Sequence, residues 1–295
     1  MLGIGRDGLE LRGEWPEHLV ETSGFDLFEG ATVARLVSAL DPVDVYYLAA
    51  HHVSSEGNVS LALPGAEVEA ALLVNVRGPL RFLEALRDRD DSRFFFASSS
   101  LVFGDQGSGV PQNEHTLWSP GGVYGLTKAL TGHACREYRA KHGIFCSVGY
   151  LYNHESVHRS GRFFSKKVCA AALRIRGGSP ERLKLGNLDA VVDWGYAPDY
   201  VEAFTRILAL PEPGDFIIAT GEAHTAHEFL EVAFSHVGLR WQDHVDAGSE
   251  VLGRSGSGRV GDSSKLRRLT GWRPSLSFEA MVRRLVDDLA GQDLS

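Results

Sequence analysis

Ser99, Tyr124 and Lys128 are side chains whose types and spacing could do chemistry. Tyr124 and Lys128 stand at i and i+4 in Val123-Tyr-Gly-Leu-Thr-Lys128, and on a helix such positions share a face. The ammonium of Lys128 could then lie near the phenol of Tyr124. A free phenol titrates near ~10, and a nearby cation favours the phenolate. The spacing therefore predicts that Tyr124 moves a proton near neutral pH. Ser99 would add a hydrogen bond to the reacting oxygen. Together they suit the interconversion of an alcohol and a ketone, in which a nicotinamide takes or gives the hydride. A bare pair at this spacing is also met on many solvated helix faces, so context must decide.

The context is a set of elements able to position the three. Arg93-Phe-Phe-Phe-Ala-Ser-Ser-Ser100 reads as a buried strand ending in hydroxyls. Ligands in open α/β sheets bind at such carboxyl ends. Strands are predicted over 18–22, 43–50, 94–97 and 144–150. Helices are predicted over 31–40, 67–89 and 124–142, the second with Leu72, Val76, Leu80, Leu83 and Leu86 along one side. This alternation predicts a doubly wound parallel sheet with helices on both faces. After about residue 153 the segments shorten, with helices expected over 166–176, 198–208, 226–237 and 278–289. Two portions are expected: a Rossmann-like dinucleotide-binding one over 1–152 and a smaller substrate-binding one over 153–295. Ser255-Gly-Ser-Gly258 reads equally as a lid or a plain linker.

Composition narrows the class. The chain has 295 residues, 43% of them hydrophobic, and a net charge of −8. A core of ordinary size is expected, and no nucleic-acid surface. No apolar run approaches ~18 residues, so no membrane span is expected. Met1-Leu-Gly-Ile-Gly-Arg-Asp-Gly8 does not read as a signal peptide. The three cysteines, Cys135, Cys146 and Cys169, show no paired spacing and read as reduced thiols, which fits a cytoplasmic location. His51, His52 and His154 have no metal-ligand spacing, so no metal site is expected.

Further motifs carry a family resemblance. They are Val45-Tyr-Tyr-Leu-Ala-Ala50, Asn75 with Gly78, Leu83-Glu-Ala85, Val110-Pro-Gln-Asn-Glu114 and the Tyr124/Lys128 pair. Further on come Leu151-Tyr-Asn-His-Glu-Ser156, Leu185-Gly-Asn-Leu-Asp189, Asp193-Trp-Gly195, Ala219-Thr-Gly-Glu222, Gly261-Asp262 and Gly271-Trp272. From Asp26 onward the chain resembles the GDP-mannose 4,6-dehydratases, which are extended short-chain dehydrogenases/reductases. The resemblance implies NADP or NAD as cofactor and a nucleoside-diphosphate sugar, GDP-linked by preference, as substrate. It implies that Tyr124, Lys128 and Ser99 are catalytic. Cofactor contacts are implied for Arg6, Asp26, Leu27, Leu48, Ala49 and Ala50, besides Tyr124 and Lys128. Substrate contacts are implied for Ser99, Asn153, Arg159, Lys167, Asn187 and Arg254. A homodimer or larger homo-oligomer, paired through the helices at 67–89 and 124–142, is implied by the same analogy.

The sequence departs from the family at three places. The family opens with a strand, a glycine turn and a helix that hold the cofactor pyrophosphate. Gly3-Ile-Gly-Arg-Asp-Gly8 spells a glycine motif, but only Met1 and Leu2 precede it. The spacing instead aligns residues 2–6 with the family's second strand and 18–27 with its third. The first strand and helix are then expected to be absent, through real shortening or a misplaced start. Secondly, dehydratases read Ala-Ser-Thr-Ser-Glu, and that Glu drives elimination. Here Ala97-Ser-Ser-Ser-Leu101 ends in a side chain that cannot carry a proton. Thirdly, Val191-Val192 and Ser257 replace charged residues near the nucleotide. The expected activity is C4 redox without elimination, as reductase or epimerase. The alternatives are an active dehydratase and a catalytically weak binding subunit.

Overall fold

The structure is a computed structural model describing residues 2–3, 20–21, 27–40, 42–52, 65–104, 110–248 and 258–292. Arg6, Asp26, Arg254 and most of the two glycine-containing stretches lie outside these residues. A short parallel pair opens the fold, β1 (Leu2–Gly3) with β2 (Val20–Glu21). Then come α1 (Gly30–Ala39), β3 (Asp44–Tyr47), α2 (Gly65–Leu72), a π-helical turn (Leu73–Arg77) and α3 (Gly78–Ala85). β4 (Arg93–Ser99) runs into a 3-10 turn (Ser100–Val102), and after it come α4 (Gly122–His142), β5 (Phe145–Leu151) and β6 (Asn153–Glu155).

The later portion holds α5 (Phe164–Arg176), β7 (Leu183–Leu185), β8 (Val191–Val192), β9 (Trp194–Tyr196) and α6 (Ala197–Leu208). It ends with β10 (Asp215–Ile218), β11 (His224–Thr225), α7 (Ala226–His236), β12 (Val245–Ala247), α8 (Ser264–Thr270) and α9 (Phe278–Gln292).

The main sheet is parallel throughout, in the order β10-β5-β4-β3. Phe94, Phe95 and Phe96 of β4 and Cys146 and Val148 of β5 are fully buried. Both faces are thus covered at β4 and β5, as runs rather than alternations of apolar residues require, whereas β3 buries only Tyr47 and leaves Tyr46 37% exposed. Phe94 and Phe96 pack with α1, α3 and α4; Phe95 faces α6 and stacks on Phe204 at 4.5 Å. The sheet takes β10 from beyond residue 153. Among the described residues it ends at β3, and β1–β2 form a separate pair. A further core lies between α5, α7 and α9 with Trp194 of β9.

One helical stripe departs from its expected phase. Val76, Leu83 and Leu86 are buried as predicted, but Leu72 is 43% exposed, with Ala71 and Asn75 buried around it. The π-helical turn explains the slip: each added residue rotates the side chains beyond it by roughly 100°. The helix predicted over 67–89 is also interrupted by that turn and ends at Ala85.

Candidate active site

β4 and α4 bring the three candidate catalytic residues into one region. Ser99 is the last residue of β4, and its Oγ accepts from the Leu101 amide at 3.2 Å. Tyr124 lies in the first turn of α4. That turn sits close against the end of β4, because a Cβ on Gly125 would stand 2.8 Å from the Leu101 carbonyl oxygen. A glycine is what the approach needs. Lys128, one turn on, donates from Nζ to the Ala97 carbonyl at 2.8 Å. Its ammonium lies 4.8 Å from the Phe96 ring centroid and 5.7 Å from that of Tyr124.

The electrostatics run against the expectation from spacing. Burial pushes the Tyr124 phenol up to about 12, and the opposing positive neighbour is Arg159. Burial also takes Lys128 down to about 7. At both groups desolvation is the largest cause and outweighs the neighbouring charge that opposes it. An ammonium at the bottom of the site is therefore poised between charged and neutral at physiological pH.

The loop after β3 forms another wall. Leu48, Ala49 and Ala50 are exposed at the carboxyl end of that strand. Asn75, buried in the π-helical turn, fixes the next residue of this loop, His51. The Asn75 Oδ1 accepts from the His51 amide at 2.8 Å, and its Nδ2 donates to the His51 carbonyl at 3.1 Å and to Thr127 Oγ1 at 3.0 Å. Thr127 Oγ1 in turn donates to the Tyr124 carbonyl at 3.0 Å. One carboxamide thus ties the loop to the helix that carries Tyr124. Leu27 packs beside the start of α3, 3.1 Å from where a Gly78 Cβ would stand.

The segment from Asn153 to Ser165 completes the region. The Asn153 carbonyl accepts from the Tyr200 hydroxyl at 3.4 Å. His154 donates from Nδ1 to the Tyr152 carbonyl at 2.8 Å and stacks on Tyr200. Burial, aided by the charge of Arg159, outweighs that bond and takes the imidazole down to about 4. Arg159 binds the His154 carbonyl at 2.6 Å and the Glu155 carboxylate at 3.0 Å, and covers the Phe163 ring at 4.0 Å. Its buried Nε has no partner among the described residues. Glu155 also accepts from the Ser165 hydroxyl. Glu114 is engaged elsewhere, its carboxylate accepting from the Ile217 amide at 2.9 Å.

Lys167 and Asn187 belong to the later portion. Lys167 Nζ donates to the Lys184 carbonyl at 3.0 Å, and Asn187 Oδ1 accepts from the Asp189 amide at 2.9 Å. Their described bonds do not bring them to Tyr124. His51 bonds Glu67 at 2.7 Å. Among the described residues no group of three His, Cys, Asp or Glu could hold a metal ion. No helix among them is long and apolar enough to cross a membrane.

Known proteins resemble the chain along the same lines. The family model "GDP-mannose 4,6 dehydratase" matches residues 14–285. GDP-mannose 4,6 dehydratase 1 of Arabidopsis thaliana is 36% identical over 270 residues, covering 89% of this chain and 72% of that protein. The Homo sapiens GDP-mannose 4,6 dehydratase is 31% identical, covering 88% and 74%. Among solved structures, RMD from Pseudomonas aeruginosa, complexed with NADPH, superposes with a TM-score of 0.78 at 20% identity, covering 93% of this chain and 91% of that one. The UDP-glucose 4-epimerase of Thermus thermophilus, complexed with NAD, does so with 0.78 at 24%, covering 98% and 91%. These two likenesses bear on the fold, a Rossmann-type α/β sheet.

Proposed function

The chain belongs to the GDP-mannose 4,6-dehydratase family, and from that premise we propose that it is an NAD(P)-dependent enzyme performing C4 redox on a GDP-linked hexose without elimination. The observation that carries this reading is the Ser99, Tyr124 and Lys128 constellation, held together by the close approach of Gly125 to Leu101. The site fits a nicotinamide cofactor on one structural ground. Beside the Tyr124 ring lies a buried ammonium that uses a single carbonyl among its described bonds, and an ammonium has three donors. Lys128 and Tyr124 would hold the ribose, with Leu48, Ala49, Ala50 and Leu27 along the cofactor; the family resemblance alone assigns Arg6 and Asp26, outside the described residues, to its adenosine end. When bound, the nicotinamide supplies a hydride acceptor or donor.

The chain's own residues do the rest. In oxidation Tyr124 would act as the phenolate, which the Lys128 ammonium favours, and take the C4 hydroxyl proton; in reduction it would return that proton as the phenol. Ser99 orients the oxygen. Lys128 offsets charge developing on the phenol, an interaction that is strong in so dry a place. Asn153, Arg159, Lys167, Asn187 and Arg254 are assigned to the nucleotide sugar.

Reductase or epimerase chemistry is favoured because Leu101 occupies the position where elimination needs an acid. Glu114 and Glu155, the two glutamates that could stand in, are bound to the Ile217 amide and to Arg159 with Ser165. The dehydratase itself is the second reading, favoured by the extent of the family match. Incubation with GDP-mannose and NADP⁺, and with a GDP-linked 4-keto sugar and NADPH, tests both. A C4 epimer or a reduced C4 hydroxyl is expected. A 4-keto-6-deoxy product would establish the dehydratase instead, and failure to bind either cofactor would favour a weak binding subunit. We place the enzyme in the cytoplasm, where nucleotide sugars and reduced thiols coexist, and infer a homodimer from the exposed Leu126 and Leu130 of α4 and Leu72 of α2.

A further inference from the structure

Glu155 is a carboxylate only 2% exposed, and the proposed chemistry gives it no proton to move. Its two oxygens are divided between neighbours. Oε2 accepts from the buried Ser165 hydroxyl of α5, and Oε1 accepts from Arg159 Nη1 at 3.0 Å. The same Nη1 donates to the His154 carbonyl at 2.6 Å, and the guanidinium carbon stands 4.0 Å from the Phe163 ring centroid. A long side chain with much rotamer freedom is thereby held in one direction.

These contacts leave the other edge of Arg159 unused. Nε and Nη2 make no hydrogen bond among the described residues, and Nε is buried. With this same edge Arg174 grips Glu181, through Nε at 2.8 Å and Nη2 at 3.3 Å, and Arg206 grips Glu202, at 3.0 and 2.7 Å. Two parallel donors suit a carboxylate or a phosphate. A buried N–H without an acceptor is costly, and an acceptor brought by a ligand removes that cost. The Arg159 side chain is 21% exposed, so its outer end is open to a ligand. It also borders the reacting centre. Phe163 beneath it lies 5.9 Å from the His52 ring, which in turn lies 4.6 Å from that of Tyr124. We propose that Glu155 is a positioning residue that, through Arg159, presents the free Nε–Nη2 edge to the diphosphate of the nucleotide sugar. The carboxylate does not touch the ligand. It sets the direction of the guanidinium, and Ser165 holds the carboxylate.

The inference rests on the nucleotide-sugar reading, and GDP binding to the full chain, measured by calorimetry, keeps the two apart. Arg159→Met is expected to weaken GDP binding about 100-fold, and Glu155→Gln, which keeps the shape and removes the charge, about 10-fold. The double variant should bind no more weakly than Arg159→Met, since without the guanidinium Glu155 has nothing to aim. In turnover, Glu155→Gln should raise KM and leave kcat nearly unchanged. Ser165→Ala is the milder change should Glu155→Gln fail to fold; it is expected to weaken GDP binding about 3-fold, and not at all in the Arg159→Met background. Full GDP affinity in a folded Glu155→Gln, or in Ser165→Ala where that variant does not fold, overturns the proposal. So do additive losses in the double variant, which mark a purely structural carboxylate, and a fall in kcat alone, which makes Glu155 part of the chemistry. If the wild type binds UDP in place of GDP, the same comparison is made with UDP. A wild type that binds neither removes the nucleotide-sugar reading and this inference with it.

Discussion

Lys128 is an ammonium held where water hardly reaches it, and that sets a cost which the ligand-free fold must carry. Burial takes it down to about 7, while in the unfolded chain it titrates near ~10.4. Between these values the unfolded chain binds more protons, so the contribution of Lys128 to stability rises with pH from about 7 to about 10. Below that window the folded protein bears the full penalty of a buried charge. Lys128→Met should therefore raise Tm at pH 6 by about 2–4 °C for each 1 kcal/mol recovered, lose that advantage above about pH 10, and abolish turnover. Thermal melts across pH decide it; a lower Tm at pH 6 would show that the ammonium stabilises the fold. The Tyr124/Lys128 pair was legible in the sequence because i and i+4 on a helix share a face whatever surrounds them. The direction of the phenol's shift was not, since it depends on how much water the folded site excludes. Nor was His52, whose contact with Tyr124 spans a loop and a helix and is set by a third residue, Asn75.

At the scale of elements, β10 is joined to α4 through charge. Asp215 at the start of β10 binds Arg136 at 2.5 Å and Arg139 at 2.8 Å, and the Tyr150 hydroxyl also donates to it at 3.1 Å. Burial alone would raise this carboxyl; the two guanidinium groups outweigh it and hold it below the usual carboxylate range. A depressed carboxyl contributes stability above its unfolded value near ~3.9, and this is lost as pH falls through the folded value. Asp215→Asn leaves two guanidinium groups without their partner and should cost about 3–5 kcal/mol at pH 7. Urea denaturation measures it, and a cost near zero would mean that the arginines find other acceptors. The strands over 43–50, 94–97 and 144–150 were readable as apolar runs, although the first is only Asp44–Tyr47 in the structure. β10, the edge of the same sheet, was not, because four buried residues between Gly214 and Ala219 are too few to show a period. The π-helical turn was hidden for a related reason. Its one extra residue shifts the stripe without changing composition, and so it carried Leu72 to the surface and Asn75 to the core.

For the whole molecule, α4 presents Leu126 and Leu130, 58% and 50% exposed and one turn apart, and α2 adds Leu72. Apolar side chains in register along neighbouring helices suit a second copy of the chain better than water. Leu126→Glu with Leu130→Glu should turn a dimer into a monomer in sedimentation velocity; an unchanged sedimentation coefficient would place the interface elsewhere. The overall α/β plan was legible in the alternation of strands and helices, and the site's neighbourhood in hydroxyls at a strand end. The chemistry of that site is tested most directly by the fate of one hydrogen. GDP-mannose deuterated at C4 is incubated with the protein and NADP⁺, and the label is located by NMR. C4 redox without elimination predicts deuterium on the reduced cofactor or at C4 of the C4 epimer, and neither in Tyr124→Phe. Deuterium at C6 of a 6-deoxy-4-keto sugar would contradict it and make the protein a dehydratase.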